Sequence, residues 1–359
     1  MYRFLIYISY SYALPIGNPL EKEILKRGYE IEWFSDTDDG KQALQTKDNV
    51  LDKIEDVLKY SPDIILTATD NVPDFINAVK VQIFHGFNAE KRPTRINEFK
   101  HFTIRGFFDL YCTHGPSTTV PFSKLAQKKK FFEVIETGWS KVDPLFPLEA
   151  KPKNPLPVIF IASTFTERLS LAYNNAVFQE IERLSKTGKY HFNMVLHPKI
   201  PIEIVNKWKS LSGEYFTFYD TTNLIPLFKQ ADIIFADTTS AIQEFLLQIK
   251  PVVSFNHTIE HDYLLNIKDA KMIETAFDKA LTYPESLLNY IKAYVNQLHP
   301  FKDGKSSKRI IDATLDFLHK DKSHLKPKPL NLIRKFKIRK KLNYFTLKSY
   351  NKAYTKTKK

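Results

Sequence analysis

The stretch Ala231–Phe255, ADIIFADTTSAIQEFLLQIKPVVSF, decides how the rest of the chain is read. DIIFAD is a short apolar run of the kind that forms a buried strand, SAIQEFLLQIK places apolar residues at helical spacing, and PVVSF is a second short run. Strand, helix, strand is the repeating unit of a parallel sheet. Between the first strand and the helix stand Asp237, Thr238, Thr239 and Ser240. A helix start needs one capping side chain. Four small polar side chains at that point indicate a held anion, because helix N-termini present free N–H groups and a partial positive charge. Glu244, one turn beyond Ser240, can accept from the diol of a ribose. The competing reading makes one of these residues the N-cap and leaves the others solvated. The Ser240–Glu244 spacing is not that of a capping box.

The same alternation extends both ways. YRFLIYISY, YEIEWF, PDIILTAT, AVKVQIFHG, DLYCTHG and KKKFFEVIETG predict strands before residue 140, with helices over PLEKEILKRG and NVLDKIEDVLKYS. Four prolines between residues 147 and 157 mark a seam, and a fresh strand begins at Val158. VIFIAST, YHFNMVLHP, YFTFYD, DIIFAD and PVVSF then alternate with helical stretches. The expectation is an α/β chain of two Rossmann-like parallel-sheet domains facing a cleft: residues 1–150, residues 151–321, and a basic tail over 322–359. In open parallel sheets ligands sit beyond the carboxyl ends of the strands.

Apolar residues make up 43% of the 359 and charged residues 26%, a globular balance. No apolar run approaches the ~20 residues of a membrane span, and the N-terminal stretch reads as a buried strand rather than a secretory signal. The single cysteine, Cys112, excludes an intrachain disulfide and a multi-cysteine metal site, as suits a reducing cytoplasm. The net charge of +13 is local: from Lys322 on there are fourteen Lys or Arg and no Asp or Glu, leaving 39 basic against 40 acidic residues before it. A near-neutral body argues against nucleic-acid binding. The tail mixes those cations with Leu332, Ile333, Phe336 and Ile338, and reads as a segment that holds the protein on an anionic membrane surface.

Polar chemistry gathers at the predicted strand ends. His85-Gly86 can supply a base near neutral pH with a glycine that lets the backbone turn; a lone His-Gly is equally a capping or core pair. Lys91 and Arg92 follow as an anion contact or a solvated loop. His114 is a second-rank candidate of the same kind, and Gly138 closes FFEVIET. Ser163 and Thr164 follow VIFIA. In His197-Pro198-Lys199 the proline ends the strand, His197 can donate to a phosphate oxygen and Lys199 adds charge.

FHGFNAEK, FFDLYCTHGP, ETGWSKVDPLF, VIFIAST, VLHPK and the Ala231–Val253 block occur in the order and rough spacing of the CDP-glycerol glycerophosphotransferase family. The chain resembles these teichoic-acid and capsule enzymes over about residues 80–260. The resemblance implies a GT-B fold. It implies transfer of a polyol phosphate, typically glycerol phosphate, from a CDP-linked donor to a lipid-linked or glycan hydroxyl, with release of CMP and without a metal or other cofactor. It puts His85 on the family's base, His197 on its donor-phosphate histidine, and Thr238, Thr239, Ser240 and Glu244 on its diphosphate and ribose grip. Lys199, Ser163 and Thr164 are expected to bind the donor with them, and Gly86, Gly138 and Asp237 to support the site. The basic tail suits such a lipid-linked acceptor, and the expectation is a cytoplasmic enzyme peripheral on the inner face of the membrane. The sequence departs from the family at Phe87-Asn88 after His-Gly, at Leu196 before His-Pro, and at Thr238 where an aromatic ring is usual. The other readings are a GT-B glycosyltransferase using a nucleotide sugar, and a non-catalytic membrane-bound scaffold.

Overall fold

Short runs buried on both faces become the parallel strands that the alternation predicts. The structure, a computed structural model, describes residues 1–87, 102–148 and 154–356, and the chain divides into two compact units. Unit 1 takes described residues 1–85, 102–147 and 298–356; unit 2 takes 86–87, 148 and 154–297.

Unit 1 is built on seven strands: β1 (Arg3–Ile8), β2 (Glu30–Ser35), β3 (Val50–Leu51), β4 (Ile64–Thr67), β5 (Val79–Gln82), β6 (Leu110–Thr113) and β7 (Glu133–Glu136). Their order is β3-β2-β1-β4-β5-β6-β7, all parallel. Unit 2 has six: β8 (Val158–Ser163), β9 (His191–Leu196), β10 (Phe216–Phe218), β11 (Ile233–Ala236), β12 (Val252–Phe255) and β13 (Leu265–Ile267). They run β10-β9-β8-β11-β12-β13, again all parallel. In each sheet the first strand in sequence is central and the order reverses beside it, between β1 and β4 and between β8 and β11. Such reversals open the crevice in which doubly wound sheets bind ligands.

Three expectations are corrected. The first helix is Leu14–Lys26, not a turn followed by a helix from Pro19. Pro15 sits in its first turn, where a missing N–H costs nothing, and Ile16, Leu20 and Ile24 form its buried stripe. Gly17 is needed there, since a Cβ would lie 2.3 Å from the Trp33 ring. Second, the helix after β11 is only Ala241–Leu246, with all six residues buried. Its dipole is that of less than two turns and contributes correspondingly little to anion binding.

Third, the second domain does not run to residue 321, and the basic segment is no separate tail. The helix Ser306–His319 belongs to unit 1, where the Asp143 carboxylate accepts from the Ser306 and Ser307 N–H groups at 2.8 and 2.7 Å. Arg309 donates to the Thr137 carbonyl at 2.8 Å. Residues beyond it are clamped by carboxylates of the body. Asp74 pairs with Arg339 at 2.7 Å and accepts from Ser349 at 2.6 Å. Asp63 pairs with Lys356, and Asp36 with Lys341, both at 2.7 Å. The fully buried Asp109 pairs with Lys328. Burial pushes the Asp74 carboxyl up, but the bonds from Arg339 and Ser349 outweigh it and hold the group below the usual carboxylate range. Much of the positive charge counted in the sequence is therefore spent inside unit 1.

Candidate functional site

At the order reversal of unit 2 the loops after β8 and β11 are tied by one carboxylate. Asp237, with no exposed surface, accepts from Ser163 Oγ at 2.5 Å, from the Thr164 N–H at 2.9 Å and from the Leu171 N–H at 2.9 Å. Thr238 is equally buried, and its hydroxyl accepts from the Thr258 N–H at 3.1 Å, latching the loop after β12. Ser163 and Thr164 are buried in the same knot. Of the seven polar residues that the sequence analysis places around the donor here, Ser163, Thr164, Asp237 and Thr238 thus build the turn. Thr239 and Ser240 remain half-buried with access to solvent. Glu244 is buried within its helix.

Beside this turn, at the end of β9, His197 is half-buried and its Nδ1 accepts from the Lys199 N–H at 3.1 Å. That bond leaves Nε2 to carry the proton of the neutral ring. The His197 ring lies 4.6 Å from that of Phe165, and the Lys199 ammonium stands 5.4 Å over the same ring. Phe165, 40% exposed, follows β8 and was missed from the sequence, although its place two residues past a strand end is the signal that singled out the others. The carboxyl edge of unit 2 therefore presents two hydroxyl residues, an imidazole, an ammonium and an aromatic ring. This set can neutralise a diphosphate and cover an apolar or planar group next to it.

In unit 1, His85 is exposed at the end of the segment that follows β5. The residue before it, Phe84, adopts a left-handed φ of 56°, costly for an aromatic residue. The conformation is held from two sides: Trp139 Nε1 donates to the Phe84 carbonyl at 3.2 Å, and the Phe84 ring packs edge-on against His114 and Phe122. This pedestal projects His85 toward Tyr12, in the loop after β1, with ring centroids 5.7 Å apart. Burial, then Tyr10 and Asp70, push the Tyr12 hydroxyl up to about 12, so it stays a neutral donor at ordinary pH. Beneath the pedestal His114 is buried against the Trp139 ring at 5.3 Å, and burial followed by the neighbouring His299 and His85 lowers it to about 3. His299 Nε2 accepts from the Trp139 N–H at 3.0 Å, and burial lowers that imidazole to about 4. Tyr12 and Phe84 were not legible as neighbours of His85 from the sequence, nor His299 as the partner of Trp139.

Gly138, with φ of 79°, leaves no room for a side chain: a Cβ would lie 2.5 Å from Ser306 Oγ and 2.8 Å from His299 Nε2. Gly86 has no such need. Its φ is not left-handed, and an added Cβ meets nothing within 4 Å among the described residues. Lys91 and Arg92 lie outside the described residues. Among the described residues no group of three or more His, Cys, Asp or Glu is arranged to hold a metal, and no helix is long and apolar enough to cross a membrane.

No family model matches the chain, and no curated protein matches it by sequence. Solved structures do match in fold. MnaA of S. aureus, solved with UDP, is 14% identical, with a TM-score of 0.60 over 89% of this chain and 97% of that one. The UDP-GlcNAc 2-epimerase of Neisseria meningitidis, bound to UDP-GlcNAc, is 17% identical, with a TM-score of 0.56 over 87% and 99%. A variant of the wall teichoic acid polymerase TagF soaked with CDPG is 12% identical, with a TM-score of 0.57 over 88% of each chain. At these identities the likeness establishes the fold: two parallel-sheet α/β domains of the GT-B type, shared with structures that hold UDP or UDP-GlcNAc or were soaked with CDPG.

Proposed function

We propose that this chain is a transferase that moves a polyol phosphate, glycerol phosphate first, from a CDP-linked donor to a hydroxyl of a lipid-linked or surface-glycan acceptor, at the inner face of the cell membrane. The observation that carries the reading is the carboxyl edge of unit 2, where Thr239, Ser240, His197, Lys199 and Phe165 collect at the strand-order reversal. The fold likeness to TagF supports it.

Unit 2 holds the donor: His197 and Lys199 meet the diphosphate with Thr239 and Ser240, and Asp237 and Thr238 keep the turn in shape. Glu244 is assigned to the ribose and requires its short helix to admit the diol. Unit 1 supplies the base. His85 takes the proton of the acceptor hydroxyl, that oxygen attacks the glycerol-bearing phosphorus, and the bond from this phosphorus to the bridging oxygen breaks. CMP leaves with the electron pair, its new charge met by the cations that held the diphosphate.

A second reading, a GT-B enzyme acting on a nucleotide sugar, is favoured by the fold likeness to the epimerase bound to UDP-GlcNAc. Incubation of the purified chain with CDP-glycerol and a glycerol-phosphate acceptor, and separately with UDP-GlcNAc, tests both by chromatography of the released nucleotide. CMP formation that is lost in His85→Ala and His197→Ala carries the first reading. Consumption of UDP-GlcNAc with no CMP from CDP-glycerol replaces it with the second.

A further inference from the structure

The clamp that fastens residues 322–356 to unit 1 also determines what faces outward. In the helix Leu332–Lys341 the buried residues are Lys335, Ile338 and Arg339. Leu332, Ile333 and Phe336 lie on the outside, 69%, 74% and 58% exposed. A surface helix ordinarily buries its apolar stripe and solvates its cations; this one buries two of its cations beside Ile338 and leaves three apolar side chains outside. The patch continues past the helix, where Phe345 is exposed with its ring 6.2 Å from that of Phe336, and Leu347 is entirely exposed.

The exposed cations Arg334, Lys337, Lys340 and Lys348 surround these side chains. None of the four makes an ion pair among the described residues, and no acidic residue follows Asp321. A contiguous apolar patch of this kind marks an interaction surface. Its occupant follows from charge. A second copy meeting it through the same patch would set cations against cations. A surface both anionic and able to admit Leu, Ile and Phe satisfies both components. We infer that this face docks on an anionic lipid bilayer, with Leu332, Ile333 and Phe336 entering the headgroup boundary and Arg334, Lys337 and Lys340 meeting lipid phosphates. The inward cations Lys328, Lys335 and Arg339 take no part, since Asp109 and Asp74 already hold them. The inference deepens the membrane placement in the transfer reading, but it rests on the clamp and the exposed face, so flotation can fail while CMP release stands, and the reverse.

The test is flotation of the full chain with vesicles of phosphatidylcholine alone or mixed with phosphatidylglycerol. The protein should float with the mixed vesicles at low salt and not with the neutral ones. Lys337→Glu with Lys340→Glu should lower the partition at least about tenfold. Leu332→Gln, Ile333→Gln and Phe336→Gln together should abolish flotation with the melting temperature unchanged, because all three side chains are exposed. Three results would overturn the inference: a wild-type chain that stays unbound with both vesicles; flotation unaffected by the triple substitution but stripped by salt, which is polyanion adsorption alone; or a triple variant that turns a dimer into a monomer by light scattering while still floating.

Discussion

Asp237→Asn offers the sharpest check on the turn that the proposed donor site depends on. In the parent, Oδ2 accepts from Ser163 Oγ at 2.5 Å and from the Leu171 N–H at 2.9 Å, while Oδ1 accepts from the Thr164 N–H at 2.9 Å. Asparagine brings one oxygen to a pocket of three donors. With the oxygen at the Oδ2 position, its NH2 group confronts the Thr164 N–H, which keeps only its longer bond of 3.2 Å to Oδ2; with the oxygen at Oδ1, it confronts the Leu171 N–H, which loses its acceptor. Weakening or losing a buried backbone donor's bond in this way costs ~1–3 kcal/mol. The surviving bonds fall from charge-assisted to neutral strength, roughly half. Asparagine recovers part of this because no charge need be buried. The net expectation is about 2–4 kcal/mol.

That loss is local to the loops after β8 and β11, so hydrogen exchange reads it better than a global melt. Peptides covering 159–173 should exchange about 30- to 1,000-fold faster in Asp237→Asn, at ~1.4 kcal/mol per decade. Nucleotide binding should weaken in parallel. Ser163→Ala removes one donor and leaves the carboxylate its two backbone partners, so it should cost only about 1 kcal/mol. An Asp237→Asn chain whose 159–173 peptides keep parental protection would refute the account of the knot.

The clamp on the C-terminal segment predicts that Arg339→Ala, which takes from buried Asp74 its closest cation and leaves it Ser349 and the more distant Lys335, destabilises unit 1 by about 3 kcal/mol in urea unfolding, whereas Lys341→Ala, at a pair with an exposed lysine, changes it by less than ~1 kcal/mol; equal effects would disprove the burial argument. His299, with a folded value of about 4, stays neutral while the unfolded chain protonates, so stability is full above about pH 6.5 and is lost as pH falls toward 4. His299→Gln keeps an acceptor for the Trp139 N–H and should flatten that acid limb of the melting temperature by an amount worth up to about 3 kcal/mol; an unchanged limb contradicts this. Gly138→Ala should cost about 2–4 kcal/mol from its left-handed φ and the collision with Ser306 and His299, while Gly86→Ala should change stability by less than ~0.5 kcal/mol; thermal denaturation of the two side by side decides.

Much of the fold was legible because central strands of parallel sheets are apolar throughout, and runs such as FLIYI, VIFIA and DIIFA admit few other readings. Short elements were not: the helix Ala241–Leu246 ends early because Ile249 turns into the left-handed region, which its side chain does not announce. The candidate site was legible by type and less so by role. His197-Pro198-Lys199 sits where its strand-end position placed it. Ser163 was sent toward the donor and Asp237 given a supporting part, yet they bond each other, and Asp237 accepts from backbone groups 66 and 73 positions away. The C-terminal segment was misread for the same reason. A sequence displays its cations but not the partners, and Asp36, Asp63, Asp74 and Asp109 lie two hundred or more residues upstream of the groups they hold.

That division between inward and outward polar groups bears on donor choice. The buried members, Asp237, Thr238, Ser163 and Thr164, set the shape of the turn and cannot distinguish one nucleotide from another. The outward members are two hydroxyl residues, an imidazole, an ammonium and a phenyl ring, and these recognise charge and planarity rather than the edge of a base. A diphosphate held in the proposed site would therefore gain the same stabilisation from them whether it carried cytidine or uridine. Bond choice must come from the other reactant: a base placed on a hydroxyl favours attack at phosphorus or at a sugar carbon according to which electrophile that hydroxyl reaches. The strained Phe84, braced by Trp139 and His114, fixes the position of the exposed His85 beyond the carboxyl end of β5, and it is there that the two proposed chemistries separate.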